Sequence, residues 1–118
     1  MNIKEALDEV MKLDGATGAA IVDYGSGMCL GTIGNPGFDL ELAAAANTEV
    51  VRSKKKARDQ LGLKDRIVDI LVTLDTQYHL IRMVGTQFFI YVVLDVAKSN
   101  LALSRIKLKG VESQLELG

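Results

Sequence analysis

Phe88-Phe89-Ile90-Tyr91-Val92-Val93-Leu94 is apolar at odd and even positions alike. Side chains of a strand alternate between the two faces of its sheet, so such a run belongs where both faces are covered. It predicts a central strand, within 87–94, with helices on each side. Two more strand candidates precede it, 67–74 and 77–84, both rich in β-branched and aliphatic residues. Asp75-Thr76 and Gly85-Thr86 turn the chain between the three.

Upstream, residues 39–61 change to helical spacing. Leu40, Ala43, Ala44, Asn47, Val50, Val51, Ala57 and Leu61 fall on one side of a helical wheel, Asp39 is the predicted N-cap, and Gly62 follows the last turn. Ala43-Ala44-Ala45-Ala46 makes a slim surface that another backbone can approach closely. Asn35-Pro36-Gly37, with the only proline, breaks the chain before this helix. Two short apolar runs, 18–23 and 28–33, flank Tyr24-Gly25-Ser26-Gly27 and read as a β-hairpin. Residues 2–13 place Ile3, Leu7, Val10 and Met11 on one helical face. Asn2 and Glu5 have capping-box spacing there, and Asp14-Gly15 stops the helix.

The final segment, from Asp95 or Ser99 to Leu117, is helical again and carries two apolar stripes. Ala97, Leu101, Leu108, Val111 and Leu115 form one; Val96, Leu103, Ile106 and Leu117 form the other on roughly the opposite side. A surface helix needs one stripe, so the second asks for cover from the first helix or from another chain. The order is helix, two strands, helix, three strands, helix. That predicts one layered α+β domain over 1–118, with helices on both faces of the sheet as an α/β/α sandwich.

Composition narrows the function classes. The 118 residues are 48% hydrophobic and 25% charged, which excludes wholesale disorder, and no stretch reaches the roughly 20 apolar residues of a membrane span. No direct membrane insertion is therefore expected. Fourteen Lys plus Arg against fifteen Asp plus Glu leave no global field for phosphate backbones, so nucleic acid is not an expected partner. The single cysteine, Cys29, permits neither an intrachain disulfide nor a zinc site of several thiolates. Met1-Asn2-Ile3-Lys4-Glu5 has no apolar signal core, and the cytoplasm is the default expectation. One histidine, one cysteine and no tryptophan form a thin catalytic inventory, which leans toward an interaction module.

Two stretches carry a resemblance. Residues 13–23, Leu-Asp-Gly-Ala-Thr-Gly-Ala-Ala-Ile-Val-Asp, with the turn at 24–27, are similar to the approach to the first hairpin of the roadblock domain, the dynein light-chain and bacterial GTPase-regulator family. Ser99-Asn100-Leu101-Ala102-Leu103-Ser104-Arg105-Ile106 resembles the family's closing Asn-Leu-Gly-Leu-Ala-Arg stretch, with Ala102 where Gly is common. The Ala-rich middle helix and the strand triplet fit as well, so the resemblance covers nearly the whole chain. It implies a profilin-like five-stranded antiparallel sheet and a dimer built by pairing the third strand of each protomer, with the middle helices side by side. Family members act as scaffolds and regulators, and bacterial stand-alone versions often work with a small Ras-like GTPase. An apolar strand at 67–74 left as an open edge would be an aggregation hazard that such pairing removes.

The candidate dimer surface is accordingly Ala43, Ala46, Asn47, Val50 and Lys54 of the middle helix with Ile67, Val68, Ile70 and Val72 of the third strand. Asn47, polar within the alanine-rich stripe, is expected either at the core edge or against its symmetry mate. The densest charge run, 52–58, supplies Arg52, Lys55, Lys56 and Arg58 as candidate partner-docking residues. Its plainer role is a solvated helix end whose cations complement the macrodipole. Cys29 has no cationic neighbour in sequence and reads as a structural thiol. His79, among Tyr78, Leu80 and Ile81, has no ligand-spaced companion and reads as structural or surface. The glycines at 25, 27 and 31 lead into a strand rather than a helix, so they form a turn and not a phosphate loop. No catalytic, cofactor or metal-binding residue is assigned, and the expected function is non-enzymatic. A reading of another class is a sensor domain holding a small ligand between sheet and helix. It requires an apolar pocket with converging polar groups, for which the sequence offers no obvious cluster.

Overall fold

Phe88–Asp95 lies in the middle of a five-stranded antiparallel sheet, as its two-sided apolar pattern requires. The computed structural model describes residues 1–117. Its elements are α1 (Ile3–Val10), β1 (Ala16–Asp23), β2 (Met28–Gly34), α2 (Leu40–Gln60), β3 (Asp69–Thr73), β4 (Gln77–Val84), β5 (Phe88–Asp95) and α3 (Leu101–Gln114). The sheet order is β2-β1-β5-β4-β3, which leaves β2 and β3 as edges.

Alternation along β5 divides the core in two. Ile90, Val92 and Leu94 join Ala19 and Ile21 of β1 under α1 and α3, with Leu7, Val10, Leu108 and Val111. Phe89, Tyr91 and Val93 join Ala20 and Val22 under α2, with Leu40, Ala44 and Val51. Burying each such aliphatic or aromatic side chain contributes roughly 1.5–3 kcal/mol before ordering costs, so this strand anchors both layers. Two ion pairs tie α3 to the far half of the sheet. Arg82 of β4 donates from Nε and Nη2 to Glu112 at 2.9 and 2.8 Å, and Arg105 donates to Asp69 of β3 at 2.9 Å.

The helix ends follow the local sequence. Asn2 and Glu5 complete the capping box of α1, Asp39 Oδ1 accepts from the amides of Glu41 and Leu42, and Asn100 Oδ1 accepts from Leu103. Asp23 Oδ1 accepts from the amides of Gly25 and Ser26 and so forms the hairpin turn. No described helix is long and apolar enough to cross a membrane.

Element ends differ from expectation in α1, β3 and α3. α1 stops at Val10, three residues before Leu13, and the chain then turns through 11–15. β3 spans five residues rather than 67–74, so Ile67 and Val68 precede the strand proper. It is held by β4 alone, and beyond Asp69 a single bond, Met83 N–H to Val68 C=O, continues the ladder. α3 begins only after Asn100, because Asp95 folds 95–99 into a turn by accepting from the amides of Ala97, Lys98 and Ser99. α3 also ends at Gln114 rather than Leu117, and its expected second stripe splits: Leu117 packs on the core beyond the helix, while Leu103 and Ile106 stay exposed.

Gly34 closes β2 with φ +85°, and a Cβ there would stand 2.5 Å from the carbonyl oxygen of Thr17. Gly27 has a similar φ of +80° but open space around it. Chemical denaturation should therefore show Gly27→Ala losing about 1 kcal/mol from backbone strain alone, and Gly34→Ala losing about 2–3 kcal/mol because the backbone must also move.

Candidate interaction surface

α2 packs chiefly on β1 and β2 and reaches Ile81, Met83 and Ile70 farther across, which leaves its other flank and the Gln77–His79 end of β4 more open. Between them runs a groove of about 360 Å³, walled by Phe38, Leu42, Ala43 and Ala46 on the helix side and by Leu74 on the strand side. Leu42 is 69% exposed, Leu74 43% and Val72 37%, an unusual row of large apolar side chains left in solvent. Of the alanine quartet only Ala44 is buried, so the slim surface faces mainly outward. Val50 and Lys54 continue the flank of Ala43 and Ala46 at helical spacing, and both are exposed. On β3, Ile70 points under α2 and is half-buried in its core, while Val72 shares that face and lies opposite His79. Ile67 is half-buried and Val68 exposed just outside the strand. The proposed dimer residues thus lie along one open flank and the adjoining sheet edge.

The floor of the groove is polar. Gln77 Oε1 accepts from His79 Nε2–H at 2.7 Å, which leaves Nδ1 to accept from the Tyr91 hydroxyl at 3.0 Å. The His79 ring also packs against Phe38, at 5.7 Å between centroids, and edge-on against Tyr91 at 5.4 Å. Burial lowers the pKa of His79 below the ordinary histidine value. Burial likewise pushes the Tyr91 hydroxyl up to about 12, partly opposed by a hydrogen bond from Asn47. Asn47 is 8% exposed and donates to the Ala43 carbonyl at 2.9 Å, so it sits at the core edge. His79 is half-buried in this network, and its partners Gln77 and Tyr91 carry no signal in the sequence. Tyr91 reaches His79 only because β4 and β5 are neighbours.

The basic run is divided by its own helix. Residues 49–66 hold seven Lys and Arg against three Asp and Glu, in a chain of net charge −1. Arg52 is spent internally: its Nη2 and Nε donate to the Tyr24 carbonyl at 2.8 and 3.2 Å. Lys55 lies over the Tyr24 ring, 5.0 Å from its centroid, and Arg58 folds back onto Asp59 at 2.8 Å. Lys56 is exposed on the outer side. Tyr24, unremarked in the sequence, is the hub of this end. Its ring stacks on Phe89 and its hydroxyl donates to the Thr86 carbonyl, so it joins the hairpin turn to the β4–β5 turn. Cys29 is half-buried, and burial raises its pKa, consistent with an unreactive thiol.

No family model matches the sequence, and no curated protein matches it. Solved structures do. Myxococcus xanthus MglB superposes with a TM-score of 0.83 at 17% identity, over 93% of this chain and 88% of that one. A Roadblock/LC7 domain from Streptomyces avermitilis gives 0.84 at 13% identity, over 97% and 94%. A structure of MglB with a tetrameric arrangement gives 0.79 at 16% identity, over 94% and 82%. The chain has the roadblock fold. Within this fold the element order, the antiparallel sheet and the central position of β5 agree with the expectation from the two-sided strand and the resemblance at 13–27 and 99–106.

Because Arg52 anchors a turn while Lys56 is free, the two should separate in a stability measurement. Arg52→Ala is expected to cost about 1.5 kcal/mol by losing charge-assisted bonds to a carbonyl, and Lys56→Ala to stay within about 0.5 kcal/mol of the parent.

Proposed function

We propose that this chain works as a non-catalytic dimer that binds and regulates a small Ras-like GTPase. The observation that carries the dimer is the continuity of the exposed apolar flank of α2 with the open edge of β3. A two-fold interface must be self-complementary, and pairing two β3 edges extends the sheet while bringing the bare flanks of two α2 helices together. The likeness to MglB with a tetrameric arrangement supports self-association. The GTPase partner rests on the roadblock resemblance and the likeness to MglB. The free cations at the end of α2, Lys56 foremost, are its docking candidates. The regulatory effect is exerted through binding, and no residue here is given a catalytic role.

The groove also meets the requirement of the small-ligand reading, since Asn47, Gln77, His79 and Tyr91 converge beneath apolar walls. Gln77, His79 and Tyr91 already bond to one another, which leaves little polar capacity aimed at a ligand. The dimer is therefore preferred.

Sedimentation should find a dimer at micromolar concentration. Val72→Lys should convert it to a folded monomer, whereas Leu103→Lys on α3 should leave it dimeric; a strict monomer in the parent sinks the shared sheet. Mixed with a purified small Ras-like GTPase, the parent should form a complex and alter nucleotide turnover. Lys56→Glu should weaken that complex about tenfold or less, as loss of one exposed charge contact does.

A further inference from the structure

The groove beside α2 has apolar walls and a floor that includes the one histidine of the chain. In the neutral ring that floor selects one tautomer. Gln77 Oε1 can only accept, so it fixes the proton on His79 Nε2, and Nδ1 is occupied as an acceptor by the Tyr91 hydroxyl. A proton arriving at Nδ1 reverses that bond: the Tyr91 oxygen must accept it, and the buried hydroxyl must turn its own hydrogen elsewhere. We propose that the Gln77–His79–Tyr91 chain is a proton latch beneath the groove: a second copy of this chain seats on it while His79 is neutral and is released when His79 is protonated.

The latch rests on the dimer reading, because the occupant is the second copy. His79 lies opposite Val72 in the β3–β4 register and shares the groove with Ala43 and Ala46. A partner seated along that flank covers the imidazole further and deepens the burial that already disfavours its charged form. The neighbours do not offset this. From α2 come Asn47, which is neutral, and Asp39, whose Oδ1 is engaged by the amides of Glu41 and Leu42. Val72 of β3 lies opposite His79, Leu74 follows that strand, and β4 supplies Gln77 and β5 Tyr91, which stays protonated through the neutral range. Among the described residues, Asp39 is the one charged group lining the groove.

The sign follows from linkage. A monomer that binds protons more readily than the dimer gains population as pH falls, beginning below the ordinary histidine value because burial already lowers His79 in the single chain. Two His79 side chains per dimer give a limit of about 100-fold in Kd per pH unit. The experiment is sedimentation of the parent and of His79→Gln at about pH 7.5 and about pH 5.0, with circular dichroism to confirm the fold at each. Expected is a Kd that rises about tenfold or more for the parent at the lower pH and stays within about twofold for His79→Gln. A parent dimer with no such weakening, or an equal weakening in the variant, overturns the latch and leaves the dimer standing. A parent that is monomeric at the higher pH overturns the dimer reading itself. Should the variant fail to fold, an NMR titration of the parent imidazole decides. The latch requires a protonation midpoint below the ordinary value that is lower at dimer than at monomer concentrations, and equal midpoints overturn it.

Discussion

A strand with large apolar side chains on both faces cannot be left at a surface, and β5 is that strand. Its six fully or nearly fully buried residues between Phe89 and Leu94 demand a layer above and a layer below. Three helices are available, and two of them, α1 and α3, share the face of Ile90, Val92 and Leu94. The opposite face, with Phe89, Tyr91 and Val93, has α2 alone. The three-layer arrangement follows from that single strand, and so does the imbalance between its two faces.

One helix cannot roof five strands. α2 covers the half of its face nearest β1 and β2, and there its Leu40, Ala44 and Val51 are buried. Beside the Gln77–His79 end of β4 the roof stops, and there a polar floor lies under apolar walls. The tilted packing of Phe38 on His79 and the edge contact of His79 with Tyr91 keep that floor ordered. The open apolar flank beside α2 is thus a consequence of how the core was covered. The basic end of α2 lies at the opposite side of the same helix, where Arg52 and Lys55 are drawn onto Tyr24.

Much of this was legible from local signals. Caps at Asn2, Asp39 and Asn100 use side-chain oxygens within three residues of the amides they bind, and the hairpin turn is closed by Asp23. Such interactions are written in neighbouring residues, so sequence alone reveals them. Boundaries set by distant partners were less legible. The shortness of β3 reflects its having one neighbour strand, and the late start of α3 reflects how Asp95 gathers the following amides. Val50 and the C-cap Leu61 share a side of the wheel with Ala44 and Val51, yet both are exposed, because the helix meets the sheet over a narrower arc than its apolar residues span.

The sequence by itself determined the order of elements, their caps and turns, the two-sided central strand and the near absence of reactive groups. These depend on period and on contacts a few residues long. Only the tertiary structure decided which cations are free, that Tyr24 joins two turns, and that Gln77, His79 and Tyr91 form one hydrogen-bonded chain. Those outcomes require residues far apart in sequence, such as Tyr24 with Arg52 or His79 with Tyr91, to be brought together by strand order and helix placement. Side chains alike in sequence are separated by such contacts alone: Arg52 and Lys56 share a basic run, and the fold commits one and releases the other.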